Sequence, residues 1–194
     1  MKIRDLLYFY RLKTWRNKLS CLRFLGYPAI GFALSPTINP WKAGLDTLAI
    51  VGVSMFAYTI NDYFDFKRLG EENFLSRWMK QGASERKILG TTFLPLSLFP
   101  LVILMNSLSF LTLLTILLLT SAYSAPPLRL KERRGGALIP PLCAPLLMFQ
   151  AHVSLSPSPS LEVLLLSPIL FLFQSYMECL HILDVKPRPG RILT

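Results

Sequence analysis

Between Ile88 and Leu128 the chain carries no Asp, Glu, Lys or Arg, a run of about 40 residues where about 20 apolar ones suffice to cross a bilayer. No soluble globular domain accommodates such a segment, so it must hold two membrane-spanning helices with a turn between them. The best break is Asn106-Ser107, where polar side chains and the turn preference of Asn allow a tight hairpin. The rest of the chain agrees: 52% of its 194 residues are hydrophobic and 16% are charged, which also excludes disorder. Three cysteines, Cys21, Cys143 and Cys179, sit in apolar stretches and support no disulfide framework.

Apolar stretches at 19–38, 43–61, 88–105, 108–125, 136–154 and 162–181 predict six spans. Pro36, Pro40, Pro157 and Pro159 mark turns on the far side, while Pro95, Pro100, Pro140, Pro141, Pro145 and Pro168 fall inside spans, where neighbouring helices can accommodate them. With six spans, 20 of the 21 Lys and Arg residues fall on the side of the N-terminus and only Lys42 on the other. The positive-inside rule then puts both termini in the cytoplasm of a multi-pass integral membrane protein. The net charge of +10 reports these loops and anionic lipid headgroups, not nucleic acid. Residues 1–18, where cations alternate with aromatics, read as an interfacial amphipathic segment rather than a signal peptide. The chain reads as one transmembrane domain over 1–194. Its long polar interruption, 62–87, is a cytoplasmic loop longer than a connection needs and a candidate for function.

Three windows carry chemistry. At the cytoplasmic end of the second span, Asn61 and Asp65 stand four residues apart and Asp62 and Asp65 three apart, so their oxygens can converge. Acids at the negative end of a helix and at the bilayer boundary need a compensating cation. Hard oxygen ligands suit Mg²⁺ shared with substrate phosphates; the alternative is pairing with Lys67 and Arg68 at headgroup level. After the fourth span, Pro126-Pro127 stops the helix and Arg129, Lys131, Arg133 and Arg134 project cations into the same compartment. A diphosphate would be bound there, with Tyr123 as a hydrogen-bond donor. Plain topology also explains a basic loop at that position. At the end of the sixth span Glu178, His181 and Asp184 share part of one helix face. His152 is read as a packed histidine.

Together and in this order, the windows resemble the UbiA family of intramembrane prenyltransferases. The family's Asn-Asp-x-x-Asp motif is matched by Asn61-Asp62-Tyr63-Phe64-Asp65, and its Tyr-Ser-x-Pro-Pro-x-Arg-x-Lys segment by Tyr123 through Lys131. Residues 72–87 are similar to the family's loop between helices two and three. Leu69 stands where a further Asp is usual, with Glu71 and Glu72 nearby, and Asp184 is followed by Val185, Lys186, Pro187, Arg188 and Pro189 rather than by acids. The resemblance implies an all-α polytopic bundle, UbiA-like with the last helices missing, in a C-terminally shortened member. It implies transfer of a prenyl group from a polyprenyl diphosphate to a lipophilic acceptor, commonly an aromatic quinone precursor, within the lipid bilayer. Asp62, Asp65, His181 and Asp184 would be catalytic, and Asn61, Asp62, Asp65 and Asp184 would hold Mg²⁺. Asn61, Lys67, Arg68, Tyr123, Arg129 and Lys131 would bind the diphosphate, and the apolar helices would hold the prenyl tail. Glu178, His181 or Asp184 would orient the acceptor or take its proton. Poor turnover is expected from the missing acids and closing helices. The alternative is a catalytically inactive fragment or a small polytopic membrane protein with a structural role. No protein partner can be inferred from the sequence.

Overall fold

The computed structural model describes residues 3–12 and 25–184, with the side chains of 3, 4 and 181–184 outside that description. Its described elements are all helical: α1 (Ile3–Phe9), α2 (Tyr27–Ala33), α3 (Pro40–Leu69), α4 (Phe74–Lys80), α5 (Glu85–Phe93), α6 (Ser107–Ser124), α7 (Ile139–Leu155) and α8 (Leu161–Asp184). Short 3-10 turns precede α7 at Leu130–Glu132 and Gly136–Leu138. Five helical stretches among the described residues are long and apolar enough to cross a membrane: Pro40–Leu69, Glu85–Leu104, Ser107–Ser124, Gly136–Leu155 and Leu161–Leu180. The expected sixth, at 19–38, begins outside the described residues, and its described part is the short α2 and the turn that follows.

Local chemistry sets these boundaries. Asn39 accepts hydrogen bonds from the backbone N–H groups of Trp41 and Lys42 and so caps α3, which Pro40 opens. Gly70 ends it at φ +66, a left-handed turn that glycine adopts without a steric cost. Asn106 accepts from Ser109 N–H and starts α6, so the hairpin residue is also the helix cap. After α5 the chain continues as a 3-10 helix over Leu94–Leu104, where Pro95 and Pro100 deny the backbone two donors of the α pattern.

α3 is the central helix. It packs on the 3-10 continuation of α5, on α6 and on α7, while α7 also receives α2 and α8. Ile50, Val53, Leu113, Leu147, Met148 and Val163 form a core shared by these elements. Apolar burial alone gives little drive between helices in lipid, so close approach and internal hydrogen bonds matter. Gln150 Nε2 donates to Asp46 Oδ1 and to Ser109 Oγ, both at 2.7 Å, tying α7 to α3 and α6. His152 is buried beside Ser35 and accepts the N–H of Ser160 at 3.2 Å, the packed role expected of it. A second cluster covers the region around the end of α3, where Phe9 and Tyr10 meet Tyr63, Leu75 and Ile88, and Tyr10 OH donates to the Thr91 carbonyl at 2.7 Å.

At Gly31 the backbones of α2 and α7 touch: a Cβ there would stand 2.0 Å from the Met148 carbonyl oxygen and 3.0 Å from Ala151 Cβ. Gly31→Val should therefore force the two helices apart and destabilise the bundle by about 1–3 kcal/mol, the range for overpacked cores. Thermal unfolding in detergent will register this as a lower midpoint, with Gly44→Val, in open space, as the comparison.

Candidate functional site

α3 runs past the predicted end of its span by two turns, to Leu69, and so carries Asn61, Asp62 and Asp65 on continuous helix. Asn61 and Asp65, four residues apart, share a face: Asn61 Nδ2 donates to Asp65 Oδ2 at 2.8 Å. The segment after α6 closes on that face. Ser124 Oγ donates to Asn61 Oδ1 at 3.2 Å, Lys131 Nζ donates to the same oxygen at 2.8 Å, and Arg129 Nη2 donates to Asp65 Oδ1 at 3.0 Å. Lys131 Nζ also contacts Asp65 Oδ1 directly. The first two windows thus form one cluster. Arg129 and Asp65 are buried, their side chains 3% and 10% exposed, which makes this an ion-pair group at the membrane boundary and not a solvated loop contact.

Asp62 has a different partner, although it lies near enough to Asp65 and Lys131 for their charges to act on it. Its carboxylate is gripped by Arg11: Arg11 Nε donates to Oδ2 at 3.0 Å, and Arg11 Nη2 contacts Oδ1. The Arg11 guanidinium also lies 5.4 Å from the centre of the Tyr58 ring. Asn73 Nδ2 donates to the Asp62 carbonyl at 2.9 Å, fixing the end of α3 to the cap of α4. Arg11 is therefore part of the site's wall, through a contact between residues 51 apart in sequence that no local pattern signals.

The remaining candidates separate. Lys67 pairs with Glu85 at 2.8 Å and Arg68 with Glu132 at 3.0 Å, so neither cation meets Asp62 or Asp65. Tyr123 is half-buried, and its neighbour Ser124 is the residue that reaches Asn61. Glu178 Oε1 accepts from Gln174 Nε2 at 3.0 Å, and Gln174 Oε1 accepts from Tyr27 OH at 2.7 Å. His181 and Asp184 lie in the last turn of α8, their side chains outside the described residues. Sequence reasoning missed Arg11, Asn73 and Glu132. An apolar cavity of about 430 Å³ adjoins α3, but its walls include Phe56, Ile60, Tyr63 and Phe64, a different face from that of Asn61 and Asp65.

Burial pulls the Lys131 ammonium below the ordinary lysine value, against the hydrogen bond and charge of Asp65, which hold the proton on. In the window between this lowered value and 10.5 the unfolded chain binds the proton and the folded one releases it, so folding stability rises with pH there. Anion binding follows the opposite course, because it needs the charged form. An anion held by this ammonium would be bound less tightly as pH rises through the lowered Lys131 value, and Lys131→Arg should remove that alkaline limb. A pH series of binding isotherms on both chains measures it.

The oxygen set can be matched to a metal. No group of three or more His, Cys, Asp and Glu side chains is placed to hold an ion among the described residues. Two carboxylates and an amide oxygen at one helix end do fit Mg²⁺ completed by phosphate oxygens. Beside them, Nη1 of buried Arg129 has no hydrogen-bond partner among the described residues, a donor set for an anion.

No family model and no curated protein matches the chain. Solved structures do. A UbiA homologue from Archaeoglobus fulgidus superposes with a TM-score of 0.68 at 21% identity, over 89% of this chain and 59% of that one. Structures of a UbiA homologue from the same organism bound to GPP and Mg²⁺, and to DMAPP and Mg²⁺, give the same TM-score at 23% and 24% identity. The chain spans about three fifths of the length of these proteins. The arrangement of its helices is the UbiA fold.

Proposed function

We propose that the chain is a member of the UbiA family that binds a prenyl diphosphate with Mg²⁺ at the cytoplasmic end of α3 and transfers the prenyl group to a lipophilic, aromatic acceptor in the membrane. The observation that supports this best is the meeting of Asn61 and Asp65 with Arg129 and Lys131, from two segments more than 60 residues apart, in a fold whose solved examples include two bound to GPP or DMAPP with Mg²⁺.

In this reading Asp62, Asp65 and Asn61 would hold Mg²⁺, which would supply charge neutralisation of the diphosphate. Arg129 and Lys131 bind the phosphate oxygens and offset the negative charge that grows on the leaving group as the allylic C–O bond breaks. Arg129 is buried and Lys131 half-buried, so their charges act in a lowered dielectric and are oriented before the substrate arrives. The bundle on the membrane side excludes water from the allylic cation. Glu178, His181 and Asp184 are proposed for the acceptor: a carboxylate or imidazole there would orient it or take its proton.

One observation favours the structural alternative: Asp62 and Asp65 each already have a cationic partner within the chain, as in a bundle whose acids serve only to fasten it. A prenyl-transfer assay separates the two. Purified chain in nanodiscs with Mg²⁺, labelled geranylgeranyl diphosphate and a panel of aromatic acceptors should give prenylated product that Asp62→Ala abolishes; product neither above background nor sensitive to that substitution would favour the fastening role. The orientation is testable too. With both termini cytoplasmic, single cysteines at Ser76 and Pro157 should label from opposite sides, the first from the cytoplasm, and labelling from one side would overturn the topology.

A further inference from the structure

We propose that Glu132 is a positioning residue that aims Arg129 at the diphosphate, an inference that rests on the diphosphate reading above. Arg129 sits in the left-handed region at φ +38, ψ +57, a backbone conformation few non-glycine residues adopt. From there its side chain turns inward, 3% exposed, and two carboxylates take two of its three nitrogens. Nε donates to Glu132 Oε1 at 2.6 Å, and Nη2 donates to Asp65 Oδ1 at 3.0 Å. The guanidinium is a rigid planar fork, so fixing two nitrogens fixes the direction of the third. That third nitrogen, Nη1, is the buried donor without a partner among the described residues, and an unmet buried donor is costly until an acceptor arrives.

Glu132 is itself anchored. Its other oxygen, Oε2, is held by Arg68 Nη1 at 3.0 Å, from the last turn of α3. Arg68, Glu132, Arg129 and Asp65 therefore close a loop of ion pairs that starts and ends on α3 and clamps the segment after α6 against it. This gives Arg68 a role other than direct phosphate binding.

The proposal has a sign that simple electrostatics does not share. Glu132 carries a negative charge beside an anion site, so as a charge it would repel diphosphate, and neutralising it would tighten binding. As a positioning group it must do the reverse. The experiment is isothermal titration of geranyl diphosphate, at saturating Mg²⁺, into the full chain in nanodiscs. Glu132→Gln is expected to weaken binding about tenfold, the worth of one charge-assisted hydrogen bond, and Glu132→Asp to weaken it less. In an Arg129→Gln background, where nothing remains to position, Glu132→Gln should cause no further loss. This double-mutant cycle cancels any general structural damage. Equal or tighter binding by Glu132→Gln, with Arg129→Gln still impaired, overturns the positioning role while leaving the diphosphate site intact. An unmodified chain that binds no geranyl diphosphate overturns the underlying reading, and the inference with it.

Discussion

Replacing Asp65 by alanine is expected to abolish Mg²⁺-dependent diphosphate binding and to cost the fold about 3–5 kcal/mol, the range for removing one partner of a buried ion pair. Asp65 is the hub of the cluster. It accepts from Asn61 and Arg129 and contacts Lys131, and without it Lys131 would lose its carboxylate partner and Arg129 would keep only Glu132. A loss of this size is a large fraction of the 5–15 kcal/mol that typically separates folded from unfolded states. Chemical unfolding in detergent, beside calorimetric titration of geranyl diphosphate, should show both losses together, and Asp65→Asn, which keeps oxygen and shape, should recover part of the stability without the binding.

Asp62→Ala should separate the two effects. Binding that depends on Mg²⁺ is expected to fall at least 100-fold, since one of only two carboxylates is removed from the proposed ligand set. Stability should change by less than about 1 kcal/mol. The partner of Asp62 is Arg11, whose side chain is 42% exposed and can return its charge to water, and the Asn73 hydrogen bond goes to the Asp62 backbone carbonyl, which the substitution keeps. A variant that unfolds as readily as Asp65→Ala would mean that Asp62 fastens the fold and does not serve a ligand.

The spans were legible because lipid demands long apolar helices with no unmet backbone groups. The expected stretches 88–105, 108–125, 136–154 and 162–181 differ by a few residues from Glu85–Leu104, Ser107–Ser124, Gly136–Leu155 and Leu161–Leu180. The second span was read as ending at Asn61 because polarity begins there, yet the helix continues to Leu69. Its polar residues find partners in Arg11, Arg129 and Glu85, which sequence proximity does not reveal; the local stop signal was Gly70. The same limit explains Lys67 and Arg68. Lys67, two positions beyond Asp65, falls on the opposite side of the helix and pairs with Glu85, whereas Arg68, three positions beyond, has the spacing of a neighbour but is taken by Glu132 from the segment after α6. The convergence of Asn61 and Asp65 followed from their spacing. The arrival of Arg129 and Lys131 on that face was expected from charge and compartment, while Arg11 and Glu132 are products of the tertiary fold.

The proposed prenyl-diphosphate site, completed by Mg²⁺ between α3 and the segment after α6, can be probed by calorimetric titration of geranyl diphosphate into the purified chain in nanodiscs, with Mg²⁺ and with EDTA in its place. Saturable binding at one site per chain is expected with Mg²⁺, weakened at least 100-fold in EDTA and equally by Asp62→Ala in the presence of the metal. No binding under either condition, or binding that is indifferent to both the metal and Asp62, would contradict the proposed site.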